Sequence, residues 1–298
     1  MSLISCGSLS LANRVLITGG TGFVGRPLIE KLRIEGFDPI ALGSSDGDIA
    51  TLDFQKFKHE RIERVVHLAG RTFIPESWQN PLEFYRTNIL GTANVAEFCR
   101  HVGASLTYIS AYVYGSPSTL PLKEDDPVNP NNPYAYTKLL GEEVCLQYAD
   151  LFAVPVTILR PFNIYGMGQS NSFLIPKIIH QVLHEERIEL ENLNPCRDYI
   201  YISDLVEAVT LSFRDQNKCA TYNLGSGVSI SVAEVVDIIQ KAAGTNKPVI
   251  SKNIVRDNEI MDVVADASKF TEMFNWRPKF DFASGIENIF SFRRKNDL

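Results

Sequence analysis

Tyr134 and Lys138 stand four residues apart in the run Tyr134-Ala-Tyr-Thr-Lys138. They head a segment, 134–152, whose Leu139, Leu140, Glu142, Glu143, Val144 and Leu146 read as helix. Side chains at i and i+4 share a helix face, so the phenol and the ammonium are expected to point the same way. A free phenol titrates near 10, so about one in a thousand is ionised at neutral pH. Bringing it to about 7 takes about 4 kcal/mol, and a cation ~4 Å away at an effective dielectric of about 20 supplies about that much. The pair could therefore make a phenol into a proton donor and acceptor at working pH. A solvated surface helix carries the same two residues by chance, so the chemistry needs partners elsewhere in the chain.

One partner is a cradle for phosphate. Arg14-Val-Leu-Ile-Thr18 is a short, β-branched apolar run; Gly19-Gly-Thr-Gly-Phe-Val-Gly25 follows at once, and residues 26–36 carry a helical pattern. Strand, glycine turn and helix in that order form a dinucleotide-binding fingerprint. Gly19 allows the tight turn, Gly22 the approach of backbone to a pyrophosphate and Gly25 the packing of helix on strand, with Phe23 and Val24 between them. The helix N-terminus offers free N–H groups to the anion. An acidic residue closing the second strand commonly takes the adenosine ribose hydroxyls. Here that strand, Asp38 to Leu42, runs into Gly43, Ser44 and Ser45. The reading is that no carboxylate stands there to repel a 2′-phosphate, while no arginine clamps one, so NAD and NADP both stay open.

The 298 residues suffice for one large domain or two smaller ones. A net charge of −6 argues against a general nucleic-acid binder and against a polybasic membrane patch. Five cysteines, Cys6, Cys99, Cys145, Cys196 and Cys219, are scattered without paired spacing, which suggests reduced thiols rather than a disulfide framework or zinc site. No apolar run approaches a membrane span, and residues 1–12 lack the charged start of an export signal, so they read as an unstructured lead-in. The cytoplasm is the expected location.

Arg64-Val-Val-His-Leu-Ala-Gly70 is the next buried strand, with Leu68 and Ala69 at its exit and His67 read as a core histidine. Trp78-Gln-Asn-Pro81 is expected to open one long helix to residue 102, with Asn88, Gly91 and Thr92 packed closely inside it. Ser105-Leu-Thr-Tyr-Ile-Ser110 is a fourth strand, followed by Ala111-Tyr-Val-Tyr-Gly115. The glycine run, His67-Leu-Ala69, Asn88, Ser110, Tyr114-Gly115 and the Tyr134/Lys138 pair, in this order, resemble the extended short-chain dehydrogenases/reductases. The likeness is to their nucleotide-sugar epimerase/dehydratase branch and runs from residue 14 to 279.

The resemblance implies an α/β fold, a Rossmann-like doubly wound parallel sheet with a smaller, interleaved C-terminal substrate domain. The cofactor domain is expected over 13–166, a substrate-domain segment over 167–197, a return to the sheet over 198–228, and the remaining substrate domain over 229–298. It implies that Ser110 bonds the reacting sugar oxygen, that Tyr134 is the acid/base, and that Lys138 holds the nicotinamide ribose and lowers the tyrosine pKa. NAD or NADP would exchange hydride with a sugar carbon, usually C4, of a nucleoside-diphosphate sugar. Gly19, Gly22, Phe23, Val24, Gly25, Ser44, Asp48, Ile49, Leu68, Ala69, Asn88, Lys138 and Pro161 are the expected cofactor residues. Asp48, in Gly47-Asp-Ile49, either lies under the adenine or caps the short helix that follows. Where the 4,6-dehydratases carry two acids after the serine, this chain has Ala111 and Tyr112, so dehydration and C3/C5 epimerisation lack their bases.

In the second half, Arg160-Pro-Phe-Asn-Ile-Tyr-Gly166, Cys196-Arg-Asp-Tyr-Ile-Tyr-Ile-Ser-Asp204 and Arg256-Asp-Asn-Glu259 resemble the family's nucleotide-holding runs. They imply that Asn163, Arg197 and Arg256 contact the substrate diphosphate, which suits the match of guanidinium forks to phosphate oxygens. Asp204 is expected to cap a helix over 205–213. His180 and His184, four apart, read as a solvated helix face; no third ligand is evident and no metal is expected. A homodimer through helices 81–102 and 134–152 follows from the resemblance alone. Two activities fit, a 4-epimerase with tightly held NAD and an NAD(P)H-dependent reductase of 4-keto-6-deoxy sugars. A non-catalytic dinucleotide sensor would be marked by a broken Tyr or Lys, and both are intact.

Overall fold

The computed structural model describes residues 13–256 and 258–295. The expected lead-in at 1–12, with Cys6, lies outside them, as does Asp257. The first half alternates strand and helix: β1 (Arg14–Thr18), α1 (Gly25–Ile34), β2 (Asp38–Leu42), β3 (Ile62–His67), α2 (Ile74–Gln79), α3 (Pro81–Tyr85), α4 (Gly91–Val102), β4 (Ser105–Ile109), α5 (Pro133–Phe152) and β5 (Val156–Pro161). After it come β6 (Asn163–Tyr165), α6 (Leu174–His184), β7 (Ile188–Leu190), β8 (Cys196–Tyr201), α7 (Ile202–Ser212), β9 (Cys219–Leu224), β10 (Ser229–Ser231), α8 (Val232–Ala243), β11 (Val249–Ser251), α9 (Ser268–Phe274) and α10 (Phe282–Lys295).

Six strands form the central parallel sheet in the order β2-β1-β3-β4-β5-β9. Both faces are covered, so the strands alternate between two apolar cores. Leu16, Val65, Leu106 and Ile158 pack under α4 and α5, whereas Val15, Ile17, Val66 and Leu159 pack under α1, α7 and the Phe270–Trp276 cluster. The chain reverses its direction of travel across the sheet between β1 and β3. A doubly wound sheet has its ligand crevice there, beyond the carboxyl ends of the strands. A smaller lobe carries a three-stranded sheet, β10-β8-β6, and a two-stranded one, β11-β7. Its apolar core joins α6, α8 and α10 through Ile178, Val235, Ile239 and Ile289. Among the described residues no helix is long and apolar enough to cross a membrane.

Three sequence expectations need correction. The helix expected through to residue 102 is interrupted twice. Asn80 leaves the helical region (φ −131°, ψ 57°), as a residue before proline tends to, and Arg86–Leu90 is a wide π turn. That turn carries Asn88 into the interior, where single-turn π bulges often serve a site. The 160–166 run, taken as one stretch, instead divides between two strands, with Phe162 between β5 and β6 and only β5 in the central sheet. Asp204 does not cap a helix at 205. Helix α7 begins at Ile202, and the buried Asp204 carboxylate accepts from the Phe280 N–H at 3.1 Å.

Candidate active site

The glycine loop leaves β1 against the end of β3. Gly19 has φ +69°, and a Cβ on it would lie 2.8 Å from the Ala69 nitrogen; a Cβ on Gly25 would lie 2.4 Å from the Gly19 carbonyl oxygen. Both contacts are with backbone, so neither position tolerates a side chain and the loop stays folded on itself. Leu68 N–H donates to the Thr18 carbonyl at 3.1 Å and Ala69 N–H to Thr18 Oγ1 at 3.3 Å, which ties the exits of β1 and β3 together. His67 is a core residue, as expected. It lies between Thr18 Oγ1 (2.6 Å) and Thr92 Oγ1 (3.0 Å), and burial lowers its pKa to about 3. Val24 and Phe23 turn partly to the apolar cores rather than standing free.

The second-strand exit differs from its linear reading. The 3-10 turn Ser44–Asp46 folds back, and Asp46 Oδ2 accepts from the Gly43 N–H at 2.8 Å. A carboxylate therefore does stand at the end of β2, beside the glycine loop, since Gly43 abuts Thr21. Counting along the chain missed it because the turn returns residue 46 to the strand end; Ser44 itself is exposed there. Asp48 caps a turn at the Ala50 N–H (3.0 Å) and pairs with Arg86 at 2.7 Å. The short 3-10 helix that follows, Phe54–Phe57, is capped by Asp53 instead. Ile49 is buried against Gly91.

Helix α5 carries the phenol and the ammonium. Asn132 accepts from the Ala135 N–H at 2.9 Å and Pro133 takes the first helical position, which sets Tyr134 in the first turn. The buried stripe of this helix runs Lys138, Glu142, Cys145, Ala149, so two charged side chains lead it. Lys138 Nζ donates to the Ile109 carbonyl at 2.6 Å and stands 4.7 Å from the centre of the Tyr108 ring. Ser110 lies one residue beyond that carbonyl, at the end of β4, and is buried. Pro161 closes β5 alongside. The Asn88 amide accepts from Arg71 N–H (2.8 Å) and donates to the Arg71 carbonyl (3.0 Å) and Thr137 Oγ1 (2.8 Å). It thereby clamps the exit of β3 to α5, and a Cβ on Gly70 would lie 3.1 Å from its oxygen and 3.8 Å from Lys138 Nζ.

The electrostatics of the pair run against the expectation. Burial pushes the Tyr134 phenol up, with the neighbouring Tyr112 phenol adding to the rise. Burial also lowers the Lys138 ammonium to about 8. Each group is thus held toward its neutral form, and the ammonium is engaged by a backbone carbonyl.

Sequence reasoning overlooked what stands behind Ser110. Its hydroxyl donates to Glu142 Oε1. The Glu142 carboxylate is gripped by Arg160, Nε to Oε1 at 2.9 Å and Nη2 to Oε2 at 2.6 Å. Arg160 Nη1 donates to Tyr114 Oη at 2.9 Å, and Tyr114 donates on to Asn223 Oδ1 at 2.6 Å. The signal was available: Glu142 falls four residues after Lys138, on the face that Lys138 defines.

On the substrate side, Asn163 Nδ2 donates to the Asp198 carbonyl at 2.9 Å and Arg197 is on the neighbouring strand. Arg197 pairs with Glu259 at 2.9 Å, and the exposed Arg256 pairs with Glu191 at 2.6 Å. Asp198, which sequence reasoning did not single out, is buried and accepts from Ser226 N–H (2.7 Å), Ser226 Oγ (2.6 Å), Gly227 N–H (3.0 Å) and Ala265 N–H (3.0 Å). It binds the loop after β9 to the C-terminal segment. His180 and His184 lie with their ring centres 4.8 Å apart and their planes tilted by 46°, and no group of three metal-ligating side chains occurs among the described residues.

A parallel doubly wound sheet with a glycine loop at its switch point, a serine at the exit of β4 and a tyrosine and lysine on α5 is the arrangement of the extended short-chain dehydrogenase/reductase enzymes. Residues 15–225 match the model of the NAD dependent epimerase/dehydratase family. The chain is 30% identical to UDP-glucose 4-epimerase 4 of Oryza sativa subsp. japonica, over 98% of this chain and 93% of that protein. It is 26% identical to GDP-6-deoxy-D-mannose reductase of Pseudomonas aeruginosa, over 94% and 97% respectively. The solved structure of MoeE5 in complex with UDP-glucuronic acid and NAD superposes with a TM-score of 0.89 at 27% identity, covering 95% of this chain and 99% of that one. The chain belongs to the NAD dependent epimerase/dehydratase family.

Proposed function

We propose that this chain is an NAD-dependent 4-epimerase of a nucleoside-diphosphate hexose. The carrying observation is that Lys138, on the helix that carries Tyr134, reaches the exit of β4 next to Ser110 and close to Gly70, at the end of the strand on which the Gly19 turn packs. The glycine turn and the α1 N-terminus would hold the pyrophosphate of the dinucleotide, Asp46 its adenosine ribose, and Lys138 and Pro161 border its nicotinamide end. The glycine cradle fits such a group, because a Cβ at Gly19 or Gly25 would force the backbone apart. When bound, the cofactor supplies a hydride acceptor and donor at the sugar carbon.

The rest falls to the chain itself. Tyr134 takes the proton of the C4 hydroxyl and returns it, Ser110 holds that oxygen, and Lys138 fixes the geometry. Asn163, Arg197 and Arg256 orient the diphosphate, each arginine exchanging its glutamate partner for phosphate oxygen. Ala111 and Tyr112 offer no carboxylate after Ser110 to carry out a dehydration.

One observation favours a second reading. Burial holds Tyr134 in its proton-donating form, which is what reduction of a 4-keto sugar requires. The deciding experiment is to denature the purified protein and assay the supernatant for NAD, alongside interconversion of UDP-galactose and UDP-glucose. Stoichiometric NAD with interconversion supports the epimerase. An empty protein that oxidises NADPH with a 4-keto-6-deoxy sugar nucleotide replaces it with the reductase.

Asp46 bears on the cofactor. A carboxylate at the ribose hydroxyls repels a 2′-phosphate, so Asp46→Asn, which keeps an acceptor for the Gly43 N–H, is expected to raise affinity for NADP relative to NAD by about tenfold. Fluorescence titration with both dinucleotides checks this; an unchanged ratio removes Asp46 from the cofactor site.

A homodimer would bury the apolar surface on the outer helices, where Leu82, Leu90, Leu151 and Phe152 are at least half exposed. The four described cysteines are free thiols, in keeping with a cytoplasmic enzyme.

A further inference from the structure

Of the eleven tyrosines, six donate their hydroxyl protons to protein acceptors: Tyr108, Tyr114, Tyr148, Tyr165, Tyr201 and Tyr222. Tyr85 and Tyr136, 41% and 45% exposed, have bulk water. That leaves Tyr112, Tyr134 and Tyr199. Tyr112 and Tyr134 are half-buried and Tyr199 is buried, yet none of the three hydroxyls bonds to a described residue. None is sealed in the interior either. A sheltered phenol usually finds a partner, so these oxygens open on a space where something other than the protein supplies one. The space is shared, because the charge of Tyr112 would be felt at both Tyr134 and Tyr199.

Tyr112 stands at the centre of that group. It comes two residues after Ser110 and is the only residue of 109–115 that is not buried. Its ring lies against Phe162, with centres 5.4 Å apart and planes 32° apart, on the small apolar cluster that includes Leu122 and Val263. Phe162 adjoins Asn163, which pairs in register with Tyr199. Arg197 lies two residues before Tyr199, on the same face of β8. Tyr112 therefore stands between Tyr134 and the residues assigned to the diphosphate. A hexose stretched from its reacting carbon to its phosphates must pass this phenol.

We propose that Tyr112 is a sugar-binding, specificity-determining residue: its phenol hydrogen-bonds a hydroxyl flanking the reacting carbon, at C3 or C6, so that the crevice selects hexoses hydroxylated there. This rests on the reading that Tyr134 works on the C4 oxygen. A phenol both donates and accepts, so it can meet a sugar hydroxyl whichever way that hydroxyl turns. The C4 hydroxyl's own proton stays with Tyr134. A substrate without the flanking hydroxyl leaves the phenol unpartnered once water is displaced, which is how a polar site rejects a deoxy analogue.

The test crosses Tyr112→Phe with UDP-galactose and its 3-deoxy and 6-deoxy analogues, read by kcat/KM. Phenylalanine keeps the ring on Phe162, so the variant should melt with the wild type and bind the dinucleotide equally well. It is expected to lose about tenfold on UDP-galactose and on the analogue that keeps the bonded hydroxyl. On the analogue that lacks it, the loss should be less than about twofold. If the wild type is inert toward UDP-galactose, the cycle is run with NADPH on a 4-keto-6-deoxy sugar nucleotide with and without its C3 hydroxyl, and the same pattern is expected. Equal losses on every substrate make Tyr112 a packing residue, and no loss places it off the sugar; either overturns the proposal alone. A wild type inactive in both assays, or a Tyr134→Phe variant with full turnover, overturns the reading beneath it as well.

Discussion

Tyr134→Phe is expected to lose about 10² to 10⁴ of kcat, the usual worth of a positioned general acid/base, while melting within a few degrees of the wild type. The ring still fills the same half-buried space in the first turn of α5, and the Asn132 cap and Pro133 that start the helix are untouched. Initial rates with UDP-galactose and a thermal melt on the same preparation check it. A variant with full turnover would mean that the proton moves through another group.

The pH dependence sharpens the test. Burial raises the phenol, so at neutral pH it is protonated and ready to donate, whereas oxidation of an alcohol needs the phenolate. The oxidative half-reaction should therefore climb about tenfold per pH unit below 8. It should level off near 8, where the Lys138 ammonium that supports the phenolate is itself lost. A flat profile from 6 to 8 would show that bound substrate and cofactor reset the phenol.

Some of this was legible in the sequence, for definite reasons. Arg14–Thr18 and Asp38–Leu42 occupy the strands read for them, because apolar runs of that length between turn residues admit little else. The start of Val232–Ala243 is equally local, with Ser231 and Glu234 closing a capping box. What escaped depended on chain segments far apart. Asn163–Tyr165 is too short to carry a period, and only its pairing with Cys196–Tyr201 makes it a strand. Asp46 came to the end of β2 through a turn, not through its place in line. Glu142 and Arg160 read separately as helix polarity and a strand end, and only contact between α5 and β5 makes them one unit behind Ser110. The tyrosine–lysine spacing was legible, whereas its electrostatics were not, because desolvation depends on everything packed above the helix.

That desolvation gives Lys138→Met an unusual profile, dead in turnover yet no less stable at neutral pH. The ammonium is 4% exposed, and burial lowers it from 10.5 to about 8. The folded chain thus releases this proton more readily than the unfolded chain. Between about pH 8 and 10.5 the unfolded state binds more protons, so stability climbs with pH through that window and is lowest below it. The cost of holding the charge at pH 7 is about 3 kcal/mol. Methionine avoids that cost but leaves the Ile109 carbonyl without its 2.6 Å donor, a loss of about 1–3 kcal/mol. The variant should therefore melt at or a few degrees above the wild type at pH 7, and the wild type should gain on it steadily as pH rises toward 10. Turnover should fall about 10²-fold or more, because no cation remains to support the phenolate. Paired melts at pH 7, 8, 9 and 10 separate the two effects. If the curves run parallel, the ammonium carries no desolvation cost, and the strain at this site is not electrostatic.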